Sequence, residues 1–227
     1  MKRIAFYGGS FDPLHLGHLT IARELTKVFD LNEFVFVPAF HAPHKSKNPT
    51  SAFHRYAMLA LATNNVTKIS VSKIELEAPE QPYTVETLTK LKTLLPEAQI
   101  FFVMGADSWQ DITIWREWEK VLTLVNIIVI TRPGYEIGFS HVNDEIRRRI
   151  VDLRGKAELR ITNYELRKFD GEPQSTIQDS RIYISDAVQI DVSASKIRHK
   201  IKENVTDWRE DAPFEVAKYI EKYELYI

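Results

Sequence analysis

Two short runs, Phe34-Val-Phe-Val37 and Ile127-Ile-Val-Ile130, carry an apolar side chain at every position. A strand shows successive side chains to opposite faces, so each run needs cover on both. That is the condition of a parallel sheet wrapped by helices. The remaining chain follows suit. Strand patterns at Arg3–Tyr7, Phe34–Pro38, Lys68–Val71, Ile100–Met104, Ile127–Thr131 and Arg181–Ile184 alternate with helical patterns at Leu16–Phe29, Phe53–Thr63, Thr84–Leu95 and Trp115–Val125. The alternation predicts an α/β fold with a doubly wound, mostly parallel sheet and right-handed crossovers. Ligands of such sheets bind at the carboxyl ends of the strands, near the point where strand order reverses.

At 227 residues the chain is long enough for one large domain with its own core. We expect a single domain over 1–227, with an insert at about 133–178 and a C-terminal helical segment at about 193–227. The insert is rich in charge and turn residues. Within it, Asn143–Arg154 reads as an exposed helix, with Arg147, Arg148 and Arg149 on its solvated face. Lys plus Arg number 30 against 31 Asp plus Glu, so no overall field draws in nucleic acid or an anionic membrane. Cysteine is absent, which excludes disulfides and thiol catalysis and favours a reducing compartment. No signal-peptide pattern and no apolar stretch of about 20 residues is present, so the expected location is the cytoplasm. Oligomeric state is not written in these patterns, and a homo-oligomer stays open.

The chemistry concentrates at Gly8-Gly-Ser-Phe-Asp-Pro-Leu-His15-Leu-Gly-His18, between the first strand and the first helix. Positions i and i+3 share one helix face, so His15 and His18 point the same way. A helix start gathers unpaired N–H groups and positive dipole, which favours an anion. Gly8 and Gly9 permit close backbone approach to a ligand. Taken together the segment describes a phosphate site.

This string resembles the signature of the nucleotidyltransferase superfamily, two histidines around a glycine, and more narrowly that of the bacterial nicotinate-nucleotide adenylyltransferases. Further motifs separate that family from the phosphopantetheine adenylyltransferases. The loop Pro38-Ala-Phe-His41-Ala-Pro-His44-Lys45 after the second strand resembles the family's Pro-His-Lys ending. In Gln81-Pro-Tyr83-Thr84-Val-Glu, Thr84 reads as a helix N-cap whose hydroxyl accepts from a backbone N–H. Met104-Gly105-Ala-Asp107-Ser-Trp109 ends a strand where a nucleotide can approach, and Asp107 suits sugar hydroxyls or backbone amides. Among the tryptophans of this region, Trp115 matches the family position whose ring stacks on nicotinate, while Trp109 and Trp118 read as packing residues. Asp191-Val-Ser193-Ala-Ser195-Lys-Ile-Arg198 is similar to the superfamily's second signature. There serines open a helix and Arg198 offers a planar fork to phosphate. The likeness covers about 2–132 and 183–227.

The resemblance implies a Rossmann-like nucleotidyltransferase fold and transfer of AMP from ATP to nicotinate mononucleotide, giving deamido-NAD and pyrophosphate. The catalytic set it implies is His15, His18, Lys45 and Arg198. ATP would meet Gly8, Gly9, Ser10, Phe11, His15, His18, Gly105, Asp107, Ser193, Ser195 and Arg198. Nicotinate mononucleotide would meet Ser10, His44, Lys45, Tyr83, Thr84, Trp115 and Arg132. Mg²⁺ is expected on the ATP phosphates, with no dedicated metal ligands from the chain. The rival readings are a related transferase acting on nicotinamide mononucleotide or phosphopantetheine, and a nucleotide-binding sensor without turnover.

Overall fold

The computed structural model describes residues 1–40, 50–131, 137–155, 180–188 and 191–227. Its strands are β1 (Lys2–Gly9), β2 (Glu33–Pro38), β3 (Ile69–Val71), β4 (Ala98–Gly105), β5 (Asn126–Ile130), β6 (Ile150–Asp152) and β7 (Ile182–Ser185). Its α-helices are α1 (Leu16–Val28), α2 (Ala52–Thr63), α3 (Thr84–Leu94), α4 (Ala106–Gln110), α5 (Trp118–Leu124), α6 (Asp144–Arg148), α7 (Ala194–Lys202) and α8 (Phe214–Lys222). The strands form one sheet in the order β3-β2-β1-β4-β5-β7-β6. Every pairing in it is parallel. Strand order reverses between β1 and β4, so the carboxyl ends of these two strands mark the binding crevice.

The strand period of two divides the core. Ala5, Tyr7, Phe34, Phe36, Phe101, Val103, Ile128 and Ile130 pack on one face of the sheet. Their immediate neighbours Ile4, Phe6, Val35, Val37, Ile100, Phe102, Ile127 and Val129 pack on the other. Both faces are covered, as the continuous apolar runs require. Helix α1 buries Leu19, Ile21, Ala22 and Leu25 on one stripe. It stops at Phe29, after which Asp30 turns the chain at a positive φ of 44°.

Three expectations need correction. The segment Asn143–Arg154 is not one exposed helix: α6 is a short helix that hands over to the edge strand β6. Ile146 is buried, and β6 pairs with β7. The arginines are tied to nearby groups: Arg147 donates to Phe139 O and Ser140 O, Arg148 to Asp144 O and Arg149 to Glu145. The fourth helical pattern begins at Trp118 rather than Trp115, because Glu117 before it sits at φ 49° and interrupts the turn. The helix start near residue 84 is also shifted: Tyr83 is the N-cap and Thr84 the first helical residue. Among the described residues no helix is long and apolar enough to cross a membrane.

Candidate active site

Two adjoining cavities open at the carboxyl ends of β1 and β4. The first, about 770 Å³, is lined by the β1 end and the loop after it, by both histidines, and by Ser193, Ser195 and Arg198 of the α7 start. The second, about 530 Å³, is lined by Tyr83, Thr84, Ile114, Trp115 and Arg116, with Val37 and Met104 from the strands. Gly8, Gly9, Ser10, Asp107 and Ser108 line both, and so form the shared wall.

The glycines are explained by packing. A Cβ on Gly9 would meet the Phe11 ring at 2.9 Å, and one on Gly8 would meet Phe102 at 3.1 Å. Small residues here let aromatic rings close beneath the cavity floor while the backbone remains on its surface. Phe11 itself holds a positive φ of 48°, a conformation costly for a bulky residue and common at functional loops.

His15 is the N-cap of α1, and His18 lies one turn in. Their rings stack at 3.7 Å between centroids. His18 Nδ1 accepts the His15 backbone N–H at 3.3 Å. A neutral ring that accepts at Nδ1 carries its hydrogen on Nε2, so His18 is set up as a donor at that nitrogen. Tyr7 and Phe11 meet the ring edge-on at 6.0 and 5.1 Å. At 8% exposure His18 is buried rather than displayed.

The α7 start faces the same cavity. Ser193 caps it by accepting the Lys196 N–H at 3.2 Å, as the serine-rich turn led us to expect. Arg198 donates to Asp12 O at 2.5 Å and to Ser195 Oγ at 3.4 Å, which orients the guanidinium. The starts of α1 and α7 therefore converge on one cavity, an arrangement suited to polyanions.

In the second cavity Trp115 is half-buried, whereas Trp109 is fully buried and donates its Nε1–H to Gly138 O at 3.0 Å. Trp118 packs against the core. Arg116 lies 4.7 Å from the Tyr83 ring centroid and 3.8 Å from the Glu86 carboxylate. That pair is half-exposed and adds little stability. Glu86 Oε2 accepts the Tyr83 N–H at 2.9 Å, which fixes the α3 start beside the cavity.

Every residue expected to meet ATP lines the first cavity: Gly8, Gly9, Ser10, Phe11, His15, His18, Gly105, Asp107, Ser193, Ser195 and Arg198. Of the residues expected to meet the mononucleotide, Ser10, Tyr83, Thr84 and Trp115 line the second. His44, Lys45 and Arg132 lie outside the described residues.

Four residues escaped the reading of the sequence. Asp12 accepts the Thr50 N–H at 3.2 Å and the Tyr226 hydroxyl at 2.7 Å. Tyr226 comes back across the fold to line the first cavity, and burial pushes its hydroxyl well above the usual phenol value. Glu75 lines the second cavity and accepts from Thr87 Oγ1 at 2.9 Å; burial raises its carboxyl pKa above the ordinary range. Arg55 is buried behind both cavities, and burial lowers its guanidinium pKa, opposed by Asp12. Arg55, Glu75 and Tyr226 sit in no motif, and Asp12, inside the first signature, shows its role only through tertiary contact.

A cytidylyltransferase-like family model matches residues 6–200, and the chain belongs to that family. Curated relatives carry a narrower name. A Thermus thermophilus protein named "probable nicotinate-nucleotide adenylyltransferase" is 38% identical over 168 residues, 67% of this chain and 88% of the relative. A Mycobacterium tuberculosis protein of the same name is 38% identical over 135 residues, 60% of this chain and 63% of the relative. The chain thus spans under two thirds of the length of the mycobacterial relative it matches. The fold agrees with a Plasmodium falciparum nicotinic acid mononucleotide adenylyltransferase complexed with NaAD. That structure superposes with a TM-score of 0.69 at 24% identity, over 100% of this chain and 98% of the other.

Proposed function

We propose that the protein transfers AMP from ATP to nicotinate mononucleotide, releasing pyrophosphate and forming deamido-NAD, as the names of its relatives suggest. One observation carries the reading: two cavities of nucleotide size share the wall Gly8–Ser10 and Asp107–Ser108. ATP in the first and the mononucleotide in the second would bring their phosphates together at that wall, beside the paired histidines.

The 5′-phosphate oxygen of the mononucleotide attacks the α-phosphorus of ATP in line. A P–O bond forms to that oxygen as the bond to the pyrophosphate oxygen breaks. No covalent enzyme intermediate is required, so the chain contributes position and charge stabilisation. His18, through Nε2–H, and His15 hold the ATP phosphates. Arg198 and Lys45 answer the charge growing on pyrophosphate. A divalent cation, Mg²⁺ in our reading, neutralises the phosphates when bound. Among the described residues no three His, Cys, Asp or Glu side chains gather to hold a metal ion. We assign its ligands to ATP oxygens and water, the coordination such a hydrated cation ordinarily keeps on nucleotide phosphates. Tyr83, Thr84 and Trp115 take the pyridine ring, with the N–H groups of the α3 start facing its carboxylate. The chain from 1 to 227 then acts as one nucleotidyltransferase domain, in which β6, from the described part of the insert, lies at the sheet edge.

The test is pyrophosphate release from ATP with nicotinate mononucleotide, nicotinamide mononucleotide or phosphopantetheine. A backbone N–H faces the carboxamide NH₂ as donor to donor, which costs about 2–4 kcal/mol. The acid should therefore win over the amide by at least about tenfold in kcat/KM. Equal use of the two mononucleotides would remove the carboxylate site from Tyr83–Thr84. A preference for phosphopantetheine would overturn the reading altogether.

A further inference from the structure

Arg55, on α2, is 1% exposed, and its whole guanidinium engages main-chain carbonyls. Nε donates to Thr50 O at 2.9 Å and Nη1 to Ser10 O at 2.7 Å. Nη2 donates to Ala39 O at 2.6 Å and Phe40 O at 3.1 Å. Burying a charge is costly, and an apolar side chain of similar size would anchor α2 against the core without that cost. What the guanidinium adds is geometry: a rigid planar fork that ties separate chain segments into one register.

Those segments are the cavity walls. Thr50 lines the first cavity, Ala39 the second, and Ser10 both. Asp12, two residues beyond Ser10, accepts from Thr50 N and from Tyr226. The same loop is thus gripped from behind by Arg55 and from the far side by the tail of the chain.

We infer that Arg55 is a positioning residue which fixes the offset between the two cavities at Ser10, and with it the approach of the two reacting phosphates. This rests on the function proposed above. Most of each cavity's lining lies outside the shared wall, so a ligand binding alone should sense a small shift of that wall only weakly. In-line transfer between two ligands should sense it strongly, because a displacement near 1 Å can cost about 10²-fold in rate.

Arg55→Lys keeps the charge but offers one ammonium in place of the fork, and it cannot span Ser10, Ala39 and Thr50 together. We expect kcat to fall by about 10- to 100-fold. The Kd values for ATP alone and for nicotinate mononucleotide alone, measured by calorimetry, should stay within about threefold. Met58→Ala serves as the control: Met58 is a fully buried residue of the same helix, so its loss lowers stability without reaching a cavity wall. Its kcat should remain near wild type below the unfolding transition. If Arg55→Lys yields no folded protein, Arg55→Gln, whose amide retains two N–H donors, is put through the same comparison. Turnover of the folded variant within about threefold of wild type would overturn the inference. So would parallel loss of both single-ligand affinities, or an equal kcat loss in Met58→Ala. Wild-type protein that binds both ligands separately yet releases no pyrophosphate would overturn the functional reading itself, and the inference with it.

Discussion

Replacing His18 with Ala separates the chemical from the structural role of the ring, and the geometry lets both costs be worked out. The His15 N–H loses the Nδ1 acceptor it meets at 3.3 Å, which costs about 1 kcal/mol when water from the open cavity substitutes. The stacked contact with His15 and the edge contacts with Tyr7 and Phe11 go too, together about 1–2 kcal/mol. A total of about 2–3 kcal/mol lowers Tm by about 5–10 °C in a chain of this size. An exposed histidine would have been replaced at almost no cost; burial makes the difference. On the chemical side, losing one preorganised Nε2–H donor should reduce kcat by about 10²- to 10³-fold. His18→Gln places an amide N–H near the lost Nε2 and should recover part of that rate. The assay is steady-state pyrophosphate release from ATP and nicotinate mononucleotide well below the lowered Tm, with folded fraction checked by circular dichroism. Turnover within about threefold of wild type, alongside the Tm loss, would show that the ring only packs. The donor role would then be refuted.

Arg198→Lys should lower kcat/KM for ATP by about tenfold or more with little change in Tm, because the fork that spans Asp12 O and Ser195 Oγ cannot be copied by an ammonium. Trp115→Ala should raise KM for nicotinate and nicotinamide mononucleotide alike by about tenfold while leaving their ratio unchanged, since stacking ignores the ring substituent. Glu75 has a carboxyl pKa raised by burial, so the folded state holds its proton more tightly than the unfolded state. Stability then falls as pH rises from the ordinary carboxylate range through the raised folded value. Chemical denaturation across that range should show the wild type losing stability relative to Glu75→Gln as pH increases, and a constant difference would contradict the burial effect.

What the sequence disclosed and what it withheld divide along one physical line. The apolar runs announced buried strands because period-two burial is local. The two signatures announced helix starts because a cap and its dipole are written within a few residues; Ser193 caps α7 as read, and the error at Thr84 is one residue. Strand β6 was hidden because it is short, lies at the sheet edge and follows an arginine-rich turn, so its pairing with β7 leaves no apolar run. Trp115 was read into a helix because periodicity cannot foresee the left-handed Glu117 that breaks the turn.

The residues that align the two cavities were hidden for a stronger reason. Arg55 reaches Ser10 across 45 positions, and Tyr226 reaches Asp12 across 214. A lone Arg on an apolar helix or a Tyr near the end of the chain has no local pattern from which such partners can be read. Yet a reaction that relies on position rather than a covalent intermediate asks most of these long-range contacts. The motif histidines can meet phosphate wherever α1 begins, but two ligands meet in line only if β1, β4 and the loops around Ser10 keep their mutual offset. The signatures of such a site thus suggest its chemistry, while its alignment is carried by side chains that only the folded structure brings together.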